Sequence, residues 1–209
     1  AARLGLGYDE LHARYGRLIV CDISGYGDDG PCRDRKAYDL LIQAEAGFLS
    51  VTGTPDAPAK AGCSIADIAA GMYAYSGILS ALIARERTGS GCRVEVSMLE
   101  SMVEWMGHPL YYALDGAPSP PRAGAAHATI FPYGPFATGD GKTVMLGVQN
   151  EREWAAFCAV VLRRPELAAD GPFRSNSRRV ANRAELDPLV RGALGALSAA
   201  ELVARLDAA

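Results

Sequence analysis

Asp67 is the only charged side chain between Lys60 and Arg85, inside the run Ala61-Gly-Cys-Ser-Ile-Ala-Asp67-Ile-Ala-Ala-Gly-Met-Tyr73 and onward to Ala84. A carboxylate among apolar neighbours is costly to ionise unless hydrogen-bond donors or a helix end compensate it. Two roles fit such a group. It is a helix cap, or it is a nucleophile or base kept dry for chemistry. The spacing Ser64-Ile-Ala-Asp67 predicts an N-terminal capping box with Asp67 at the third helical position. The two roles are compatible, because a helix N-terminus keeps a carboxylate ionised, as a nucleophile requires.

Four further groups carry residue types suited to chemistry. Gly25-Tyr-Gly27-Asp-Asp-Gly30 follows an apolar run and has the glycine spacing of a dinucleotide loop. Asp28 and Asp29 would repel a pyrophosphate, and Pro31 stands where a helix should begin, so a turn-rich loop is expected. Arg33, Arg35 and Lys36 precede Tyr38. Three cations beside an aromatic ring suit phosphates and a stacked base, or simply a solvated loop. Arg122-Ala-Gly-Ala-Ala-His127 is a small-residue segment able to close over a substrate, or a linker. Arg174, Arg178, Arg179 and Arg183 have helical spacing and are expected to form a solvated face.

The elements that must position these groups follow from pattern. Residues 8–15 predict a short surface helix, and Arg17 to Ser24 a buried strand. Tyr38 to Leu49 predicts a helix. Ser64 to Arg87 predicts a long one that ends at Thr88-Gly-Ser-Gly91. That helix is long and apolar enough to be tested as a membrane span. Its Asp, Tyr, Gly and Ser content instead predicts a helix buried on all sides in a soluble protein. Arg93 to Val96 predicts a strand, and Ser97 with Glu100 caps a helix reaching about Tyr112. Beyond Asp115-Gly-Ala-Pro-Ser-Pro-Pro121, strands are expected at 130–136 and 142–148. A helix capped by Asn150 should run over 151–162, with others near 176–195 and 198–207. The domain expectation is residues 1–112 as part of a large α/β domain, 113–122 as linker and 123–209 as a smaller α+β domain.

Composition sets the class. The 209 residues carry a net charge of −3, which gives no basic field for nucleic acid or an anionic membrane. Cys21, Cys32, Cys63, Cys92 and Cys158 form no Cys-x-x-Cys pair, so no disulfide framework or metal site is expected, and a reducing cytoplasm is. The start, Ala1-Ala-Arg-Leu-Gly, reads as a chain that begins mid-sequence.

Taken in order, the motifs resemble a family. Leu18-Ile-Val-Cys-Asp-Ile-Ser-Gly-Tyr-Gly27 with Gly30-Pro31, Tyr38-Asp-Leu-Leu-Ile-Gln-Ala44, Val51-Thr-Gly53 and Ser64-Ile-Ala-Asp67-Ile-Ala-Ala-Gly-Met-Tyr73 are similar to class III CoA-transferases, the CaiB/BaiF family. Arg85-Glu-Arg-Thr-Gly-Ser-Gly91, Val94-Glu-Val-Ser-Met-Leu-Glu100, Pro132-Tyr-Gly134, Thr138-Gly-Asp-Gly141 and Arg179-Val-Ala-Asn-Arg183 continue the resemblance along essentially the whole chain. It implies a Rossmann-like large domain with a smaller α+β domain. Asp67 is implied as the catalytic nucleophile, working through an aspartyl mixed anhydride and an aspartyl-CoA thioester. Arg35, Lys36, Ala37 and Tyr38 are implied to bind coenzyme A, which enters as acyl-CoA. Arg122, Gly124 and His127 are implied in a mobile segment over the substrate, and no metal is implied.

Acyl-CoA and a small carboxylic acid are the implied partners, with a dicarboxylic acid the expectation for a close relative. No nucleic acid or membrane is implied, and a full-length chain should form an interlocked homodimer. Members are much longer than 209 residues, so an inactive, partner-binding remnant stays open. An α-methylacyl-CoA racemase is the neighbouring alternative. It needs a His and Asp pair, yet His12, His108 and His127 all lie away from the Lys36–Asp39 region where its His belongs.

Overall fold

Two five-residue strands organise the first half of the computed structural model, which describes residues 1–209 apart from the side chain of Ala2. Val20–Ser24 (β1) pairs in parallel with Arg93–Ser97 (β2), in register from Val20 opposite Arg93 to Ser24 opposite Ser97. Parallel strands need a long crossover. Here it carries Asp39–Glu45 (α2), Phe48–Val51 (α3) and the 24-residue Ile65–Thr88 (α4). Tyr8–Arg14 (α1) precedes β1, and Met98–Trp105 (α5) and Gly107–Ala113 (α6) follow β2. The chain separates into two units, Ala1–Arg122 and Ala123–Ala209.

Sequence pattern placed most of these ends. Gly89 terminates α4 at φ 73°, a conformation open to glycine at little cost. The Ser97 hydroxyl caps α5 by accepting from Glu100 N at 3.3 Å. The helix expected from Tyr38 to Leu49 is broken, because Gly47 adopts φ 81° between α2 and α3. The one expected from Ser97 to Tyr112 is broken at Met106.

Two burial expectations are corrected. The first strand is not fully buried: Ile23 is 55% exposed, since β1 pairs only with β2 among the described residues. Nor is α4 buried on all sides. Its alanine face, with Ala66, Ala69, Ala70, Ala74 and Ala81, packs inward against the strands and neighbouring helices. Ile68, Met72, Tyr75, Leu79 and Ile83 form the opposite stripe and are all exposed. Small side chains let the helix axis approach the strands closely, so the bulky residues are left facing away. By length and composition α4 is also the one helix among the described residues that could cross a membrane.

The second unit is built on an antiparallel pair, Tyr133–Ala137 (β3) and Thr143–Gly147 (β4). Glu151–Ala156 (α7) continues as a π-turn over Phe157–Val161, and Asn176–Ala181 (α8), Arg183–Gly195 (α9) and Ala199–Asp207 (α10) follow. Asn150 and Ser198 cap α7 and α10 as their spacing predicts, accepting from Glu153 N at 2.9 Å and Glu201 N at 3.2 Å. The core includes Phe131, Phe136, Trp154, Phe157, Leu186 and Leu194.

The expected solvated arginine face holds for Arg174 and Arg178, which are exposed, and is corrected for Arg179 and Arg183. Arg179 is fully buried, donates from Nε to Phe131 O at 2.8 Å and lies 5.0 Å from the Trp154 ring centroid. Arg183 sits over Phe131 at 4.9 Å. Both cations are used to build the unit, because a planar guanidinium can stack on a ring while bonding carbonyls.

Candidate active site

Asp67 occupies the first turn of α4, and its side chain is exposed rather than sealed in a dry pocket. The apolar residues around it in sequence wind onto different faces of the helix, so an oily run did not make an oily pocket. The expected Ser64 capping box is absent: Ser64 makes no side-chain cap bond. Its backbone, at φ −75° and ψ 72°, departs from the extended geometry that aims a cap hydroxyl at the following amides.

The cap comes instead from another helix. Asp39 Oδ1 accepts from Ala66 N at 2.9 Å. Asp39 Oδ2 accepts from Gln43 Nε2 at 2.7 Å, and Gln43 Oε1 accepts from Ala61 N at 2.9 Å. Thus α2 grips both ends of the segment 61–66 that leads into Asp67. Gln43 is fully buried at the edge of the cluster formed by Ile42, Ala66, Ala69 and Met102. Sequence reasoning missed Asp39 and Gln43 as site residues. The signal was a polar pair at i and i+4, Asp39 and Gln43, flanking the apolar run Leu40-Leu41-Ile42 of a short helix.

The segment Arg35–Tyr38 leads directly into this network, since Asp39 is the next residue. Ala37 packs on the same cluster with Tyr26, and Gly25 lies so close that a Cβ there would overlap Ala37 Cβ. Arg33 pairs with Asp34 at 3.4 Å and Arg35 with Glu45 at 3.5 Å. Lys36 is exposed, and Tyr38 presents a ring that is 68% exposed. The structure therefore joins residues 35–38 to the Asp67 turn through Asp39.

The remaining candidates divide between the units. Arg122 donates from Nε to Thr54 O at 2.9 Å and from Nη2 to Pro55 O at 3.0 Å, tying the end of the first unit to loop 52–58. Gly124 and His127 belong to the second unit. Gly124 has φ 61° in open surroundings. His127 Nδ1 accepts from Thr129 N at 3.1 Å, its amide donates to Tyr133 O at 3.1 Å, and its ring lies 5.1 Å from that of Tyr133. That bond places the proton of the neutral ring on Nε2.

The glycine loop borders a cavity of about 320 Å³ at the C-terminal ends of β1 and β2, lined in part by Asp22, Asp28, Asp29, Glu95 and Glu100. Arg93 binds Asp22 at 2.7 Å, Glu95 at 2.7 Å and Asp28. Hydrogen bonds to Asp22 and Asp28 raise its pKa above the ordinary guanidinium value. So acidic a lining opposes pyrophosphate binding. Among the described residues, no group of three or more His, Cys, Asp or Glu is arranged to hold a metal ion.

Comparison with known proteins places this geometry. A family model described as CoA-transferase family III matches residues 1–209. The succinyl-CoA:glutarate CoA-transferase of Mus musculus is 37% identical over 186 residues, covering 88% of this chain and 42% of that protein. The acetyl-CoA:oxalate CoA-transferase of Acetobacter aceti is 36% identical over 200 residues, covering 95% and 51%. A crystal structure of a CaiB/BaiF family protein from Brucella suis matches with a TM-score of 0.80 and 36% identity, over 99% of this chain and 55% of that one. One from Mycobacterium tuberculosis matches with a TM-score of 0.84 and 30% identity, over 99% and 54%. The chain spans about half the length of these curated relatives.

Proposed function

The chain belongs to CoA-transferase family III and has the α/β fold of its CaiB/BaiF relatives, and on that premise we propose that the whole protein moves CoA from an acyl-CoA donor to a carboxylic acid. Asp67 is the nucleophile. Its carboxylate attacks the donor thioester carbonyl, the C–S bond breaks, and CoA leaves as thiolate while an aspartyl mixed anhydride forms. The thiolate then attacks the aspartyl carbonyl of the anhydride, releasing the donor acid and leaving an aspartyl-CoA thioester. The acceptor carboxylate attacks that thioester, giving a second anhydride and thiolate again. Attack of the thiolate on the acceptor's acyl carbon yields the new acyl-CoA and restores the Asp67 carboxylate. No proton or redox equivalent is consumed over the cycle.

One observation carries this reading. The Asp67 carboxylate is accessible in the first turn of a 24-residue helix whose N-terminal backbone is held by Asp39 at Ala66, with Gln43 holding Ala61 in the segment that leads into it. The backbone amides of such a turn carry partial positive charge that faces an approaching carbonyl oxygen. Residues Arg35, Lys36, Ala37 and Tyr38, adjoining this turn, are the proposed CoA site, with Lys36 for phosphate and the exposed Tyr38 ring for the adenine base. The substrate segment runs from Arg122, its anchor, through Gly124 to His127. Short dicarboxylic acids are the proposed acid partners. Relatives named for succinate, glutarate and oxalate chemistry support that choice. The resemblance also supports an interlocked homodimer, and the scattered cysteines without a Cys-x-x-Cys pair support a cytoplasmic setting.

The test is to incubate the full-length protein with succinyl-CoA and a panel of carboxylic acids and to follow new CoA thioesters by mass spectrometry. Wild type should form one and Asp67→Asn should not. Absence of transfer by wild type with every acceptor would refute the proposal.

A further inference from the structure

Gln43 is the only buried amide side chain among the described residues, and its orientation is dictated by its neighbours. Ala61 N can only donate, so the amide oxygen must face it, and the NH₂ then faces Asp39 Oδ2. The two bonds close a bracket with the Asp39–Ala66 bond. Resting on the transferase reading above, we infer that Gln43 is a positioning residue for the Asp67 carboxylate, acting through Asp39 and the backbone of residues 61–66 without touching substrate.

The chemistry gives this bracket its purpose. The Asp67 carboxyl attacks once and its carbon is attacked twice in one transfer cycle, so the same group must present itself correctly to different partners. Its side chain is exposed, and no side-chain hydrogen bond restrains it among the described residues. Its position must therefore come from the backbone it hangs on. The backbone is held at Ala66, the residue before it, and again at Ala61. Gln43 ties these two holds together. A misplacement of about 1 Å at a reacting group costs on the order of 100-fold in rate. An apolar residue of similar size would fill the site but strand the part-buried Ala61 amide and leave Asp39 held only by its bond to Ala66 N.

The experiment compares Gln43→Leu and Gln43→Glu with wild type and Asp67→Asn in the full-length protein. Steady-state transfer kinetics and backbone hydrogen exchange are the readouts. In Gln43→Leu, kcat should fall about 10- to 100-fold with KM for acyl-CoA unchanged. Exchange at Ala61 and Ala66 should accelerate while the β1–β2 amides keep their protection. Gln43→Glu retains the acceptor for Ala61 but loses the donor to Asp39. It should protect Ala61, expose Ala66 and still lower kcat. If Gln43→Leu fails to fold, Gln43→Glu decides on the same readouts.

Wild-type kcat in Gln43→Leu or Gln43→Glu would overturn the inference alone, provided that wild type transfers CoA and Asp67→Asn does not. Loss of kcat, KM and β1–β2 protection together would overturn it too, by showing general support of the fold. A wild type with no transfer would overturn the function and the inference together.

Discussion

Gly25 and Ala37 share space for a single methyl group, and exchanging it between them is a sharp test of how the CoA segment is seated. A Cβ built on Gly25 would overlap Ala37 Cβ, yet it would stand 3.6 Å from Ala37 Cα and 3.9 Å from Ala37 N, which are ordinary contacts. Gly25 cannot retreat easily, because its carbonyl accepts from Leu99 N at 3.0 Å and Ser97 Oγ at 3.4 Å. Gly25→Ala should therefore force residues 36–38 outward, at a cost of about 2 kcal/mol for overpacking. Ala37→Gly alone should cost about 1.5 kcal/mol, from one lost methyl and added backbone freedom. The double variant keeps one methyl in the shared space and should cost only about 1 kcal/mol, a favourable coupling of roughly 2.5 kcal/mol. Urea denaturation of the full-length protein measures the cycle, with hydrogen exchange of the β1–β2 amides reporting on the first unit. The transfer rate should fall in Gly25→Ala, because Asp39 moves with Ala37, and recover in the double variant. Additive stabilities would refute the shared-methyl argument.

Two further predictions concern the second unit. Arg179→Met should destabilise it by about 2 kcal/mol, since a charged hydrogen bond to Phe131 O and the stacking on Trp154 outweigh the desolvation that the substitution relieves. Equal or greater stability in urea would show that desolvation wins. Iodoacetamide at about pH 8 should label exposed Cys63 and spare buried Cys158 until the unit unfolds. Burial pushes the Cys158 thiol from 9.0 up to about 12. As pH rises through that window the unfolded chain loses this proton first, so the unit's stability should fall, which urea midpoints at alkaline pH will show.

Local chemistry was legible in the sequence. Ser97, Asn150 and Ser198 each cap the helix their spacing announces, because a cap and its amide lie three residues apart. The end of α4 was legible in Gly89, and Asp67 was marked by the apolar run around it. Ser64 carried the same cap signature as Ser97 but makes no such bond, since its backbone does not take the required angles. Which face of α4 turns inward was not legible either. Both faces are apolar, and only packing selected the alanines for the interior. Arg179 carries the charge of a surface residue, and only the tertiary structure supplied the ring and carbonyls that bury it. So it is with the site: the sequence by itself determined that residue 67 is a carboxylate at a helix start. Tertiary structure decided that Asp39, 27 positions before Ala66, holds the turn beneath it. A hydrogen bond depends on distance in space, and a partner so far along the chain leaves no period to read.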